Sequence, residues 1–220
     1  MLAKELISEA IPPLLPSDDI QKVIDRMTEF RVSHLPVVEG AQFLGVVSDE
    51  DLIEVTDYSL TLSQLDLSLN KTSIGYQQHV YDVIRLFHES QMSVIPVLDE
   101  NRNFLGVISI NTVMEHLASI TAVKEPGGII VLEVTERNYS LSHIAQIVES
   151  NNTRILSSYI TSYIDSPKTE ITLKLNRSDL SAIVASFQRY DYTVTGTFND
   201  IKSDSGMTDR YEQLMNYLSF

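Results

Sequence analysis

The chain has 220 residues, 43% of them hydrophobic, and no cysteine. It can therefore bury a sizeable core in one or two domains, but it offers neither a disulfide framework nor a thiolate nucleophile or thiolate metal ligand. Acidic residues number 30 against 16 basic ones, a formal net charge of -14, which argues against a broad nucleic-acid or anionic-membrane surface because polyanions are held mainly through Lys and Arg. The imbalance is concentrated early: residues 1–125 carry 8 basic and 19 acidic side chains, whereas residues 126–220 carry 8 and 11.

The opening MLAKELISEAIPPLLPSDD has no apolar run long enough for a signal peptide, and nowhere does the chain hold the roughly 18 consecutive apolar residues of a membrane span. The expectation is a cytoplasmic protein. Apolar residues at i, i+3, i+4 and i+7 (Ile20, Val23, Ile24, Met27) then predict a helix. Next comes RVSHLPVVEGAQFLGVVSDEDLIEV, residues 31–55. Its apolar runs, Leu35, Val37, Val38 and Phe43, Leu44, Val46, Val47, suggest two strands buried on both faces. Gly45 sits inside the second run, where the missing side chain lets another backbone or a ligand come close. Ser48 is placed to N-cap a helix starting DEDLIEV, with Asp51 in its first turn. A carboxylate there can accept both hydroxyls of a ribose, and plain helix capping accounts for the pair equally well.

The unit then recurs. Val80, Val83, Ile84 and Phe87 repeat the helix pattern, and QMSVIPVLDENRNFLGVISINTVMEHL at residues 91–117 repeats the strands. Pro36 and Pro96 are 60 residues apart, Gly45 and Gly106 are 61, because the second hairpin loop is one residue longer. Neither unit alone buries much apolar surface, so repeats of about 5–58 and 65–120 should fold alike and pack together as one module over residues 1–125. His34 and His79 have no carboxylate or second histidine at ligand spacing on their own element, so no metal site is expected at either. His34 should line the repeat cleft or cap a backbone group. His88 should be an exposed residue near a helix end.

The segments SHLPVV with GVVSDEDL, and SVIPVL with GVISINTV, resemble the cystathionine beta-synthase (CBS) domain family, whose paired repeats form a Bateman module. In that family a Ser/Thr-x-x-Asp segment holds the ribose of an adenosine-type ligand. The resemblance thus implies Ser48 and Asp51 as a ribose pair and Ile11, Leu35, Pro36 and Val37 as candidates for the adenine wall. It implies a second, weaker site at Ile95, Pro96, Val97, Ser109 and Thr112, where Thr112 cannot supply the charge-assisted bonds of an aspartate. Asp49 and Glu50 stand where a basic residue often meets the phosphate, and they repel one. The implied ligand is adenosine, AMP, NAD or S-adenosylmethionine, regulatory rather than a required cofactor, in preference to ATP.

Pro126, Gly127 and Gly128 signal a linker or turn. Beyond it the pattern reads strand (IIVLEV), helix capped by Ser140 with Ile144, Ile147 and Val148 inward, and strands ILSSYITSYI and EITLKLNR around a DSPKT turn. A helix with Leu180, Ile183, Val184 and Phe187 inward and a strand, YTVTGTF, complete it. This is a βαββαβ order, ferredoxin-like, with two helices on one sheet face. Over residues 128–200 it resembles the ACT domain family of regulatory modules. Many of those have a glycine at the first strand-to-helix turn, where this chain has Arg137, Asn138, Tyr139 and Ser140. Turn formation accounts for Asn138, Ser140 and Asn152 more simply than ligand binding. In the tail, residues 201–220, Tyr211, Leu214, Met215 and Leu218 are spaced for one face of a short amphipathic helix.

Taken in this order, the α/β arrangement of a tandem CBS-domain pair and an ACT-type domain resembles the acetoin-utilisation protein B group, which implies a regulatory or accessory role. No G-x-S-x-G, G-x-x-x-x-G-K-[ST] or H-E-x-x-H segment occurs, so catalysis is not expected. The reading is a non-catalytic metabolite sensor, with a structural module that dimerises without ligand as the alternative. A homodimer touching through both regions is expected, with no nucleic-acid or membrane partner.

Overall fold

The computed structural model describes residues 1–8, 10–135, 138–163 and 166–199. Arg137 and the expected tail helix at residues 211–218 lie outside the described residues. The chain divides into two compact units, Met1–His116 and the part from Leu117 onward.

In the first unit, α1 (Ile20–Phe30) starts where the Asp19 carboxylate accepts the Lys22 N–H at 2.8 Å. It buries Ile20, Val23 and Met27 and ends at Arg31, left-handed at φ 53°, whose N–H reaches the Met27 and Thr28 carbonyls. β1 (His34–Glu39) and β2 (Gln42–Ser48) form an antiparallel pair with His34 opposite Ser48 and Val37 opposite Gly45. The second repeat follows the same plan with β3 (Ile74–Gly75), α2 (Val80–Ser90), β4 (Val94–Leu98) and β5 (Phe104–Ser109). There Val94 faces Ser109 and Val97 faces Gly106. Leu14 bridges Val37 in parallel as Ile74 bridges Val97, so each hairpin gains a third backbone segment.

Symmetry fails after the hairpins. The second copy runs into α3 (Ile110–Ile120), but the helix expected from DEDLIEV is a single 3-10 turn, Glu50–Leu52. Two side chains serve its start: the Asp49 carboxylate accepts the Glu50 N–H at 3.0 Å, and Ser48 Oγ, as expected, accepts a first-turn N–H, that of Asp51, at 3.2 Å. Beyond it the chain makes a local turn in which the Asp57 carboxylate accepts the Ser59 N–H and O–H.

A second departure is an exchange of arms. Residues 1–8 pair with the second repeat, Ala3 N–H to the Gln78 carbonyl at 2.8 Å and Ser8 N–H to the Val107 carbonyl at 2.8 Å. The stretch between repeats pairs with the first, through Leu62 N–H to Asp18 at 3.0 Å and Asn70 N–H to Val46 at 3.1 Å. The glycines are where the arms cross: a Cβ on Gly45 would stand 2.5 Å from Leu69 Cβ, and one on Gly106 2.5 Å from Ile7 Cγ2. Both have φ +147°, which side chains rarely adopt.

The division between units falls inside α3 rather than at the expected end of the module near residue 125. Residues after Leu117 are tied onward, as where the Ser157 hydroxyl donates to the Thr121 carbonyl at 2.8 Å. The second unit contains β6 (Gly128–Thr135), α4 (Leu141–Ser150), β7 (Ile155–Ser162), β8 (Lys168–Leu175), α5 (Ser181–Arg189) and β9 (Thr193–Asn199). Its antiparallel sheet has the order β7-β8-β6-β9. Along β6 burial alternates, with Ile130, Leu132 and Val134 packed against Ile144, Val148 and Phe187 of the helices. The polar residues singled out there do turn work: Asn138 Oδ1 accepts the Thr135 N–H at 2.6 Å, Ser140 Oγ accepts the His143 N–H at 3.3 Å, and Asn152 is left-handed at φ 54°.

Candidate functional site

The end of the first hairpin gathers Ser48, Asp51 and His34. The Ser48 N–H and O–H both donate to Asp51 Oδ2, at 2.7 and 2.8 Å, and the Asp51 N–H returns a bond to Ser48 Oγ at 3.2 Å. This bracket leaves an exposed carboxylate at the surface end of β2, a strong acceptor for vicinal hydroxyls. In the second copy the Ser109 and Thr112 hydroxyls lie 2.9 Å apart and the Thr112 N–H donates to Ser109 Oγ at 3.2 Å. The backbone device is the same; the charge is present only in the first copy.

His34, opposite Ser48, ties the two repeats. Its Nδ1 accepts the Ser93 N–H at 3.3 Å, while Ser93 Oγ accepts the Ser33 and His34 N–H groups at 3.0 and 3.1 Å. Burial holds the imidazole below its ordinary pKa, and the attraction of Asp49, Glu50 and Asp51 for a proton offsets only part of that. The neutral ring is the form that can accept the Ser93 N–H. Sequence reading placed His34 at a cleft or a backbone cap but missed Ser93. The available signal was that Ser33 and Ser93 hold the same place in the two copies.

The adenine-wall candidates lie deeper. Ile11, Leu35 and Val37 belong to one apolar cluster with Leu14, Ile20 and Val23, and Pro36 is buried beside them. Ile95, Pro96 and Val97 are buried in the second copy. Val37 also lines a largely apolar cavity of about 320 Å³ with Leu44, Leu62 and Leu69. That cavity lies at the Gly45 end of the hairpin, three residues along β1 from His34, or about 10 Å at the rise of a strand. Ser48, Asp51 and His34 therefore share one end of the hairpin, and Val37 lies toward the other.

His79 caps α2 by accepting the Tyr81 N–H at 3.3 Å, and His88 is exposed. Among the described residues no group of three or more His, Asp or Glu could hold a metal ion, and no helix is long and apolar enough to cross a membrane.

These two matched hairpins are CBS domains: the CBS domain family model matches residues 3–57 and 70–119. The N-terminal part of the chain is thus a tandem CBS-domain pair within a mixed α/β protein, and such pairs are generally regulatory or sensing modules rather than catalysts. An inosine-5'-monophosphate dehydrogenase of Streptococcus pyogenes is 21% identical over 118 residues, 52% of this chain and 24% of its own. The chain thus matches only about a quarter of that enzyme, through its CBS domains. A CBS domain pair/ACT domain protein of Thermotoga maritima is 24% identical over 53% of this chain and 96% of its own, with a TM-score of 0.48. CBSX2, solved in complex with AMP, is 20% identical over 56% of this chain and 98% of its own, with a TM-score of 0.47.

Proposed function

We propose that the CBS pair senses an adenosine-type metabolite, with Ser48 and Asp51 of the first copy gripping the ribose. The observation that carries this reading is the Ser48–Asp51 bracket and its placement one strand away from the His34–Ser93 joint between repeats. A ligand that binds one arrangement of that joint better than another would shift the balance between them. Asp49 and Glu50 disfavour phosphates at that end, so adenosine or S-adenosylmethionine should bind better than ATP, with AMP and NAD between. Calorimetric titration with all five tests this. The Asp51→Ala variant should lose at least about tenfold in affinity, the loss of about one charge-assisted bond, while Thr112→Asp should gain at the second copy. No heat from any of the five would overturn the reading.

The second reading, an interaction module without ligand, is favoured by the fact that Ser48 and Asp51 already satisfy each other. In either case we infer a homodimer, a cytoplasmic setting, and an ACT-type regulatory role for the βαββαβ unit in the manner of the acetoin-utilisation protein B group. Light scattering over a dilution series tests the assembly, and a monomer at micromolar concentration would remove it.

A further inference from the structure

We propose that the first CBS repeat carries a separate site for a zwitterionic amino acid with an apolar side chain, in the pocket between the end of α1 and the 3-10 turn Glu50–Leu52. This pocket has a volume of about 430 Å³, and Arg31 and Asp49 line it together with Ile24, Met27, Leu52 and Tyr58. It is a cleft of the size that small ligands use.

Two charges of opposite sign thus line one cleft of mixed polar and apolar walls without being spent on each other. Among the described residues, neither Arg31 nor Asp49 takes part in an ion pair, and the Asp49 carboxylate bonds only to the Glu50 N–H. A guanidinium suits a carboxylate in a forked pair, and a carboxylate suits an ammonium. Ile24, Met27 and Leu52 supply the surface on which an aliphatic side chain loses its water.

Comparison of the two copies says that the fold does not need these charges. The left-handed residue ending α2 is Gln91, at φ 55°, where α1 ends in Arg31 at φ 53°. The residue whose N–H closes onto the Ser93 carbonyl is Ile110, where Asp49 closes onto Ser33 at 2.9 Å. The second copy therefore builds the same turn and the same closure with neutral side chains. The first copy also has only one 3-10 turn where the second has α3, and both Arg31 and Asp49 are exposed. Occupancy would be felt at the repeat joint, because Ser33 accepts from Asp49 and donates to Ser93 Oγ at 3.0 Å.

The test is calorimetry on the full chain with leucine, and with isoamylamine and 4-methylpentanoate, which each keep the side chain and one charge. Leucine should bind, the two analogues should bind at least about tenfold more weakly, and Arg31→Gln and Asp49→Asn should each cost leucine a similar factor. Arg31→Gln installs the residue the second copy already uses, and circular dichroism checks that both variants stay folded. Arg31→Gln should leave adenosine binding unchanged while it weakens leucine, which separates this site from the adenosyl one. Absence of leucine binding, equal binding of the singly charged analogues, or indifference to both variants would overturn the proposal.

Discussion

The bond from the Ser93 N–H to the His34 ring lasts only as long as Nδ1 is an acceptor, so acid should weaken that part of the joint. Because burial holds the ring's folded pKa below the ordinary value of 6.5, the unfolded chain takes up the proton first as pH falls. The contribution of the neutral ring is therefore complete above that ordinary value and declines as pH drops through it toward the folded value. Thermal unfolding measured between about pH 8 and 5 should show a steeper loss of Tm for the natural protein than for His34→Gln, which keeps an acceptor but does not titrate there. Equal slopes would mean that other groups dominate. The crossing glycines make a second prediction at this scale. Gly45→Ala brings a Cβ against Leu69 Cβ and within 3.0 Å of the Asn70 carbonyl oxygen, and should cost about 3 kcal/mol in urea unfolding. Gly40, with φ +60° and nothing within 4 Å of its missing Cβ, should cost only about 1 kcal/mol on the same change.

Among the elements, the start of α1 depends on Asp18. Its buried carboxylate accepts the Leu15 N–H at 2.9 Å and pairs with Lys22, with Arg26 also near. Burial pushes its pKa up, but the Leu15 N–H and the two cations outweigh this and hold it below the usual 3.8. Its stabilisation is thus present above that usual value and lost as pH falls through the folded one. Asp18→Asn should destabilise by about 2 kcal/mol at neutral pH, read by denaturant midpoint. Periodicity was enough to place α1 and α2, because their buried residues recur at helical spacing, and the alternating or continuous apolar runs placed the strands. The turn after β2 was not legible, since SDEDLIEV and SINTVMEHL both read as helix starts, and only further on does the first copy differ, with its local turn at Asp57. The arm crossings and the His34–Ser93 contact escaped for another reason: they join residues far apart in the chain, and local pattern does not record who pairs with whom. For the ribose pair, a short motif brought Ser48 and Asp51 together, but it said nothing about Val37 lying toward the other end of the hairpin.

At the scale of the whole molecule, the two units have separate cores, one around Leu35, Val37 and Val47 and the other around Leu132, Leu173 and Phe187. Phe187→Ala should cost about 3 to 5 kcal/mol. Calorimetric scanning should show that loss in the transition of the second unit, with the CBS pair melting as before. A uniform shift of one joint transition would show that the units unfold together. The exchanged arms have a consequence for manufacture. On the ribosome Met1 through Ser8 emerge well ahead of their backbone partners Tyr76, Gln78 and Val107, which follow some 70 to 100 residues later. The first repeat can close as soon as Asn70 is made, while the opening segment must wait, unpaired, for the end of the second. Within the CBS pair this segment thus waits longest for its partners, and a chaperone or a neighbouring copy on the same message would meet it before its own β5 does.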